Sequence, residues 1–149
     1  MEPLDKQEPE YSILVVDDEI DNVKLLKRTL RKAYNVVGFT SPFEALEYLQ
    51  NTADKIALII SDQRMPGLTG TEFLAKTLEI QPYTTKILLT GYTDLQALIE
   101  GINKCELFQY VNKPWQPAEM IELVEKSVTR YQQTVEKNYF YFQHKQPGS

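Results

Sequence analysis

The sequence predicts an α/β domain: a doubly wound parallel sheet of five strands in the order 2-1-3-4-5. Two observations carry the prediction. Short apolar runs alternate with stretches of helical periodicity five times along the chain, and each parallel connection needs such a crossover. The runs are also continuous rather than alternating in polarity, as strands buried on both faces of a parallel sheet require. Right-handed crossovers then favour the doubly wound order.

Taken in order, Ile13-Leu14-Val15-Val16 is the first strand, and Ile20, Val23, Leu26, Leu30 and Ala33 follow at helical spacing. Val36 to Phe39 is the second strand. Ser41, Pro42 and Glu44 then start a helix, with a cap residue, a proline at the first helical position and an acid in the first turn. Ala57 to Ile60 is the third strand and ends at Ser61-Asp62; a loop with Pro66, Gly67 and Gly70 leads to a helix carrying Phe73, Leu74 and Leu78. Ile87 to Leu89 is the fourth strand, followed by a helix with Leu95, Leu98, Ile99 and Ile102 on one side. Leu107 to Val111 is the fifth strand, and a last helix starts near Pro117.

Composition narrows the function. The 149 residues suit a single domain with one core, and a net charge of -5 argues against a broad nucleic-acid-binding surface. Cys105 is the only cysteine, which excludes an internal disulfide and a cysteine-based zinc cluster. His144 is the only histidine and lies in the polar tail, which removes His-rich metal sites and Ser-His-Asp catalysis from consideration. The first ten residues, acidic and proline-containing, do not read as a secretory signal. The apolar runs are too short to span a bilayer. A cytoplasmic location, away from membranes, is the expectation. Residues 1–10 read as a flexible leader, 11–130 as the folded domain, and 131–149 as a helix extension or linker and tail.

In such a sheet, ligands sit outside the carboxyl ends of the strands, where the winding reverses. The first strand ends in Asp17-Asp18-Glu19, the third in Asp62, the fourth in Thr90 and the fifth in Asn112-Lys113-Pro114. Each feature alone has a plain structural reading, as a cap, a turn or a solvated lysine. Together they converge on one edge. Carboxylates about 4 Å apart repel by roughly 4 kcal/mol at an effective dielectric near 20. A hard divalent cation resolves that repulsion, and Mg2+ takes one or two carboxylates plus a phosphate. Phosphoryl transfer needs in addition a nucleophile and donors for the phosphoryl oxygens. Asp62 is the best-placed nucleophile, and Lys113 and Thr90 are the donors.

The segments ILVVDDE, LIISDQRMPGLTG, ILLTGYTD and FQYVNKPW resemble the receiver domain of two-component response regulators, over nearly all of residues 11–130. The resemblance implies a flavodoxin-like fold and a regulatory phospho-acceptor rather than a metabolic enzyme. Asp62 would be the phosphoacceptor, modified by a sensor histidine kinase or phosphotransfer protein and hydrolysed slowly by the domain itself. Asp18 would bind Mg2+ directly (Mn2+ as a substitute) and Asp17 largely through water, with Asp62 and the backbone carbonyl of Arg64 as further ligands. Thr90 and Lys113 match the signalling threonine and the phosphate-pairing lysine. Tyr110 matches the switch aromatic, coupling the site to the surface of helix 4, strand 5 and helix 5. LTGYTD with NKPW most resembles receivers that precede cyclic-di-GMP phosphodiesterase, ATPase or other signalling output modules. Arg64 and Tyr92, two residues after Asp62 and Thr90, are candidates for hindering an attacking water and lengthening the phosphoryl lifetime.

Other classes fit less well. An aspartate-nucleophile phosphatase would carry its nucleophile in a DxD pattern on the first strand, and a flavin or nucleotide site needs a Gly- or Ser/Thr-rich loop there. A phosphorylation-independent interaction domain would have no use for the full acid set. Ile121, Val124, Val128, Tyr131 and Val135 continue the last helix past the expected end of the domain, near Arg130. That extension, with the cluster Tyr139 to Phe142, suits a homodimer contact or a lead-in to an output domain.

Overall fold

The computed structural model of the chain describes residues 10–91 and 95–144; for residues 95–98, 100 and 140–144 it describes the backbone alone. The elements run β1 (Ser12–Val16), α1 (Ile20–Leu30), β2 (Asn35–Phe39), α2 (Pro42–Asn51), β3 (Ile56–Asp62), α3 (Gly70–Ile80), β4 (Thr85–Thr90), α4 (Leu95–Cys105), β5 (Gln109–Asn112) and α5 (Pro117–His144). All four strand pairings are parallel, in the order β2-β1-β3-β4-β5. The doubly wound sheet is therefore as the sequence predicts.

Strand alternation divides the core in two. Ile13, Val15, Leu58, Ile60, Ile87 and Leu89 face α1 and α5, where they meet Val23, Leu26, Met120 and Val124. Leu14, Val16, Ile59 and Leu88 face the other way, onto Ala45, Leu49, Phe73 and Leu74 of α2 and α3. Every residue of β1, β3 and β4 is buried, so the central strands cannot show polar alternation.

Helix starts follow their local chemistry. The Ser41 hydroxyl accepts from the Glu44 amide at 3.3 Å, with Pro42 opening α2. Thr69 and Glu72 form a reciprocal capping box at the start of α3. Before it, Gly67 takes a φ of 83°, a left-handed turn that favours glycine.

Several expectations are corrected. Strand β5 begins at Gln109 rather than Leu107, because Glu106 turns the chain at a φ of 52° and the Phe108 amide then donates to the Lys86 carbonyl. Helix α1 ends at Leu30, so Ala33 lies beyond it, and Ile20 stands exposed at its first turn. On α5, Met120 rather than Ile121 packs onto the sheet; Ile121 is 40% exposed. Gly70 is the first residue of α3, not part of the loop.

Helix α5 continues without a break past Arg130 to His144. Tyr131 packs edge-on against Tyr11, ring centroids 5.8 Å apart, whereas Tyr139 is 67% exposed. The side chains of Phe140, Tyr141 and Phe142, the leader up to residue 9 and the last five residues lie outside the described residues. Among the described residues no helix is long and apolar enough to cross a membrane.

Candidate functional site

The strand register brings the predicted residues together. Val16 is level with Ser61, and Asp62 with Leu89, so Asp17 and Asp62 emerge side by side at the carboxyl ends of β1 and β3. Thr90 pairs with Asn112 across β4 and β5, and the Lys113 amide donates to the Thr90 carbonyl at 2.9 Å. The Lys113–Pro114 peptide is cis.

Carboxylate oxygens of Asp17, Asp18 and Asp62 lie within 4.8 Å of one another. Asp17 and Asp62 are buried and Asp18 is exposed, so the cluster opens outward through Asp18. The Lys113 ammonium pairs directly with Asp62 and lies 3.8 Å from Asp17. Three carboxylates and one ammonium leave two formal negative charges. At an effective dielectric near 20, each carboxylate pair at that spacing repels by roughly 3–4 kcal/mol. The donors are all hard oxygen ligands, so the set fits a divalent cation such as Mg2+ in both charge and chemistry.

Two residues outside the sequence expectation hold the acids in place. Asp17 accepts the Glu19 amide at 2.9 Å and the Asn22 side-chain amide at 3.1 Å. Gln63, buried behind Asp62, donates its backbone amide to Leu89 and accepts the Gly70 amide at its own carbonyl. Its side-chain carbonyl accepts the Thr71 amide at 3.0 Å, tying the loop after Asp62 to the first turn of α3. The signal for Asn22 was its place in the first turn of the helix after Asp17; Gln63 carried no separable signal.

Titration behaviour follows from this packing. Burial pushes the Asp17 carboxyl up, and the Asp62 charge adds to that, against the hydrogen bonds from Glu19 and Asn22 and the Lys113 charge. Burial works against the charge on Lys113, but the hydrogen bond to Asp62 and the fields of Asp62, Asp17 and Glu19 outweigh it and raise its pKa.

The remaining candidates are more dispersed. Thr90 is buried, and its hydroxyl donates to the Gly91 carbonyl at 3.1 Å. Tyr110 is 41% exposed on the edge strand β5. Arg64 is exposed on the loop after β3. Tyr92 lies outside the described residues.

Fold and site together define an open α/β domain with an acid-lined crevice and one lysine at its topological switch point. Residues 13–125 match the model of the response regulator receiver domain, and the chain belongs to that family. Acceptance of a phosphoryl group is the family's function.

Among curated relatives, the hydrogenase transcriptional regulatory protein HoxA of Cupriavidus necator is 40% identical over 117 residues, 78% of this chain and 24% of that protein. The DNA-binding transcriptional regulator NtrC of Escherichia coli is 30% identical over 122 residues, 81% and 25% respectively. The chain thus spans about a quarter of the length of the curated relatives it matches. Among solved structures, one described as adenylate cyclase from Rhodopirellula baltica is 32% identical with a TM-score of 0.83, over 89% of this chain and 97% of that one. The signal receiver domain of an HD domain-containing protein from Pseudomonas fluorescens is 27% identical with a TM-score of 0.80, over 88% and 96%.

Proposed function

We propose that Asp62 accepts a phosphoryl group from the phosphohistidine of a sensor histidine kinase or phosphotransfer protein. The supporting observation is the cluster of three carboxylates around one ammonium at the carboxyl ends of the sheet. In the transfer, an Asp62 oxygen attacks phosphorus in line with the departing imidazole nitrogen. The phosphorus–nitrogen bond breaks, and its electron pair leaves with the imidazole. The Lys113 ammonium, which neutralises Asp62 before transfer, passes to a phosphoryl oxygen. The Thr90 hydroxyl turns from the Gly91 carbonyl and donates to another. Asp17, Asp18, Asp62 and the Arg64 carbonyl would hold Mg2+, or Mn2+ in its place, which when bound offsets the charge on the reacting oxygens.

The phosphorylated group carries about -1.5 to -2 charge. As Thr90 moves toward it, Tyr110 turns into the vacated space and changes the surface of α4, β5 and α5. That surface, or the extended α5, would carry a homodimer or an output partner. We read residues 11–130 as the receiver and the helix beyond as the connection to output, in the cytoplasm. Signalling output modules like those of the relatives fit this arrangement. The domain would catalyse its own phosphorylation and its own slow hydrolysis, with Arg64 and Tyr92 slowing the attacking water.

Intact mass after incubation with a small acyl phosphate tests this reading. One added phosphoryl is expected with Mg2+ and none without it. Absence of an adduct under every condition would sink the proposal.

A further inference from the structure

At the opposite end of the sheet, beside the amino ends of β4 and β5, lies a cavity of about 350 Å3. The turn after α3, the start of β4, the turn into β5 and the middle of α5 all contribute to its wall. The unusual group there is Lys86. It is 2% exposed, on the face of β4 that also carries Leu88 and packs under α3. Lysine is almost never buried so completely unless it is paired.

Among the described residues, the Lys86 ammonium donates one hydrogen bond, at 2.9 Å to the Thr84 carbonyl. No described carboxylate stands within ion-pair distance of it. An ammonium offers three donors, so two find no acceptor in the described protein. Water in the cavity can accept those protons, but it supplies no countercharge, and a buried cation without one is costly. Burial accordingly lowers the Lys86 pKa, against the opposing influence of Glu106 and Cys105.

A second cation lines the same cavity. The Arg130 guanidinium lies 5.5 Å from the centroid of the Phe108 ring, a cation–π contact that limits its freedom. Glu106 is the one acid on the wall, so two cations face one carboxylate in a chain of net charge -5. The aromatic rings of Tyr83 and Phe108 and the side chains of Leu78 and Leu107 make up the apolar wall.

We propose that this cavity is a second binding site, for a small oxyanion (a carboxylate or phosphate) carried on an apolar or aromatic body. Lys86 and Arg130 take the anion, and the Tyr83 and Phe108 rings take the body. Without a bound divalent cation the acid crevice at the other end carries net negative charge and repels such a ligand, so under those conditions the two sites have opposite electrostatic selectivity.

The test uses the full chain carrying Asp62→Asn in EDTA, which removes the phosphoacceptor carboxylate and any bound divalent cation. Orthophosphate, phenyl phosphate and benzoate are titrated separately while backbone amide NMR signals are followed. Saturable shifts at Lys86, Phe108 and Arg130 are expected, with phenyl phosphate binding more tightly than orthophosphate. Loss of either cation should weaken binding by about tenfold, in Lys86→Met and, independently, in Arg130→Ala. Arg130 is exposed, so its variant keeps the test decisive where Lys86→Met fails to fold. The proposal is overturned if none of the three anions gives saturable shifts. It is equally overturned if the shifts centre on Lys113 and Thr90, or if Arg130→Ala binds as tightly as its parent.

Discussion

Lys113 and Asp62 form an ion pair across the crevice mouth, linking the end of β5 to the end of β3 over the intervening β4. The same ammonium lies 3.8 Å from Asp17. Lys113 is thus the countercharge that lets the buried acids coexist in the metal-free fold. In the proposed transfer it is also the group that Asp62 would give up to the phosphoryl oxygens.

Lys113→Met should therefore destabilise the protein in EDTA. Removing one partner of a buried pair costs about 3–5 kcal/mol, but the Lys113 side chain is 33% exposed. Solvent screening reduces the expected loss to about 1–2 kcal/mol. Urea denaturation measures it, and saturating Mg2+ should shrink the difference from the parent.

Asp17 gives the opposite sign. Its pKa is raised in the fold by burial, so the folded state holds this proton more tightly than the unfolded chain does. Stability then falls as pH rises from the ordinary carboxylate value, near pH 4, through the raised folded value, and the cost persists above that window. Asp17→Asn should raise the metal-free melting temperature at pH 7 and flatten its acid-side pH dependence. Asp18→Asn should also raise it, by relieving repulsion within the cluster. A lower melting temperature in both variants would identify the acids as structural caps.

Mg2+ should stabilise the parent, by about 2.7 kcal/mol when present at a hundred times its dissociation constant. EDTA should reverse the shift, and Asp18→Asn should weaken it. Thermal melts across a Mg2+ titration provide the measurement. A melting temperature indifferent to Mg2+ in the parent would contradict a cation site at these three acids.

Gly70 links the loop after Asp62 to the sheet. A Cβ at this position would overlap the Asp62 carbonyl oxygen and the Leu88 side chain. Gly70→Ala should therefore cost about 1–3 kcal/mol and slow the phosphorylation of Asp62. Denaturation and acyl-phosphate labelling, run in parallel, separate the two effects.

What the sequence made legible follows from how far each signal reaches. Ile56 to Ile60 declares β3 because both its faces are buried, and Asp62 could be read as a strand end from that run alone. Strand β4 was harder, since Thr85 and Lys86 belong to it and look like surface residues. Thr85 is buried under α5, where its hydroxyl donates to the Ser127 carbonyl at 2.9 Å, and Lys86 is buried on the opposite face, beside the end of α3. The early start expected for the fifth strand came from the apolar pair Leu107-Phe108, but a left-handed turn at Glu106 delays the strand. Met120 and Ile121 are adjacent and both apolar, so local pattern alone could not choose the inward one. The acids and Lys113 were legible because they end strands. Gln63 is not legible, because its contribution is hydrogen bonding across a loop, which leaves no periodicity in the chain; Asn22 is marked only by its place in the first turn after Asp17.

The most direct test of the central claim is chemical mapping of the acceptor. After labelling with an acyl phosphate and Mg2+, hydride reduction converts an aspartyl phosphate to homoserine, which peptide mass spectrometry can locate. The expected product is homoserine at position 62, with Asp17 and Asp18 intact and no conversion in Asp62→Asn. Homoserine at 17 or 18, or unchanged labelling in Asp62→Asn, would contradict the assignment of Asp62 as the phosphoacceptor.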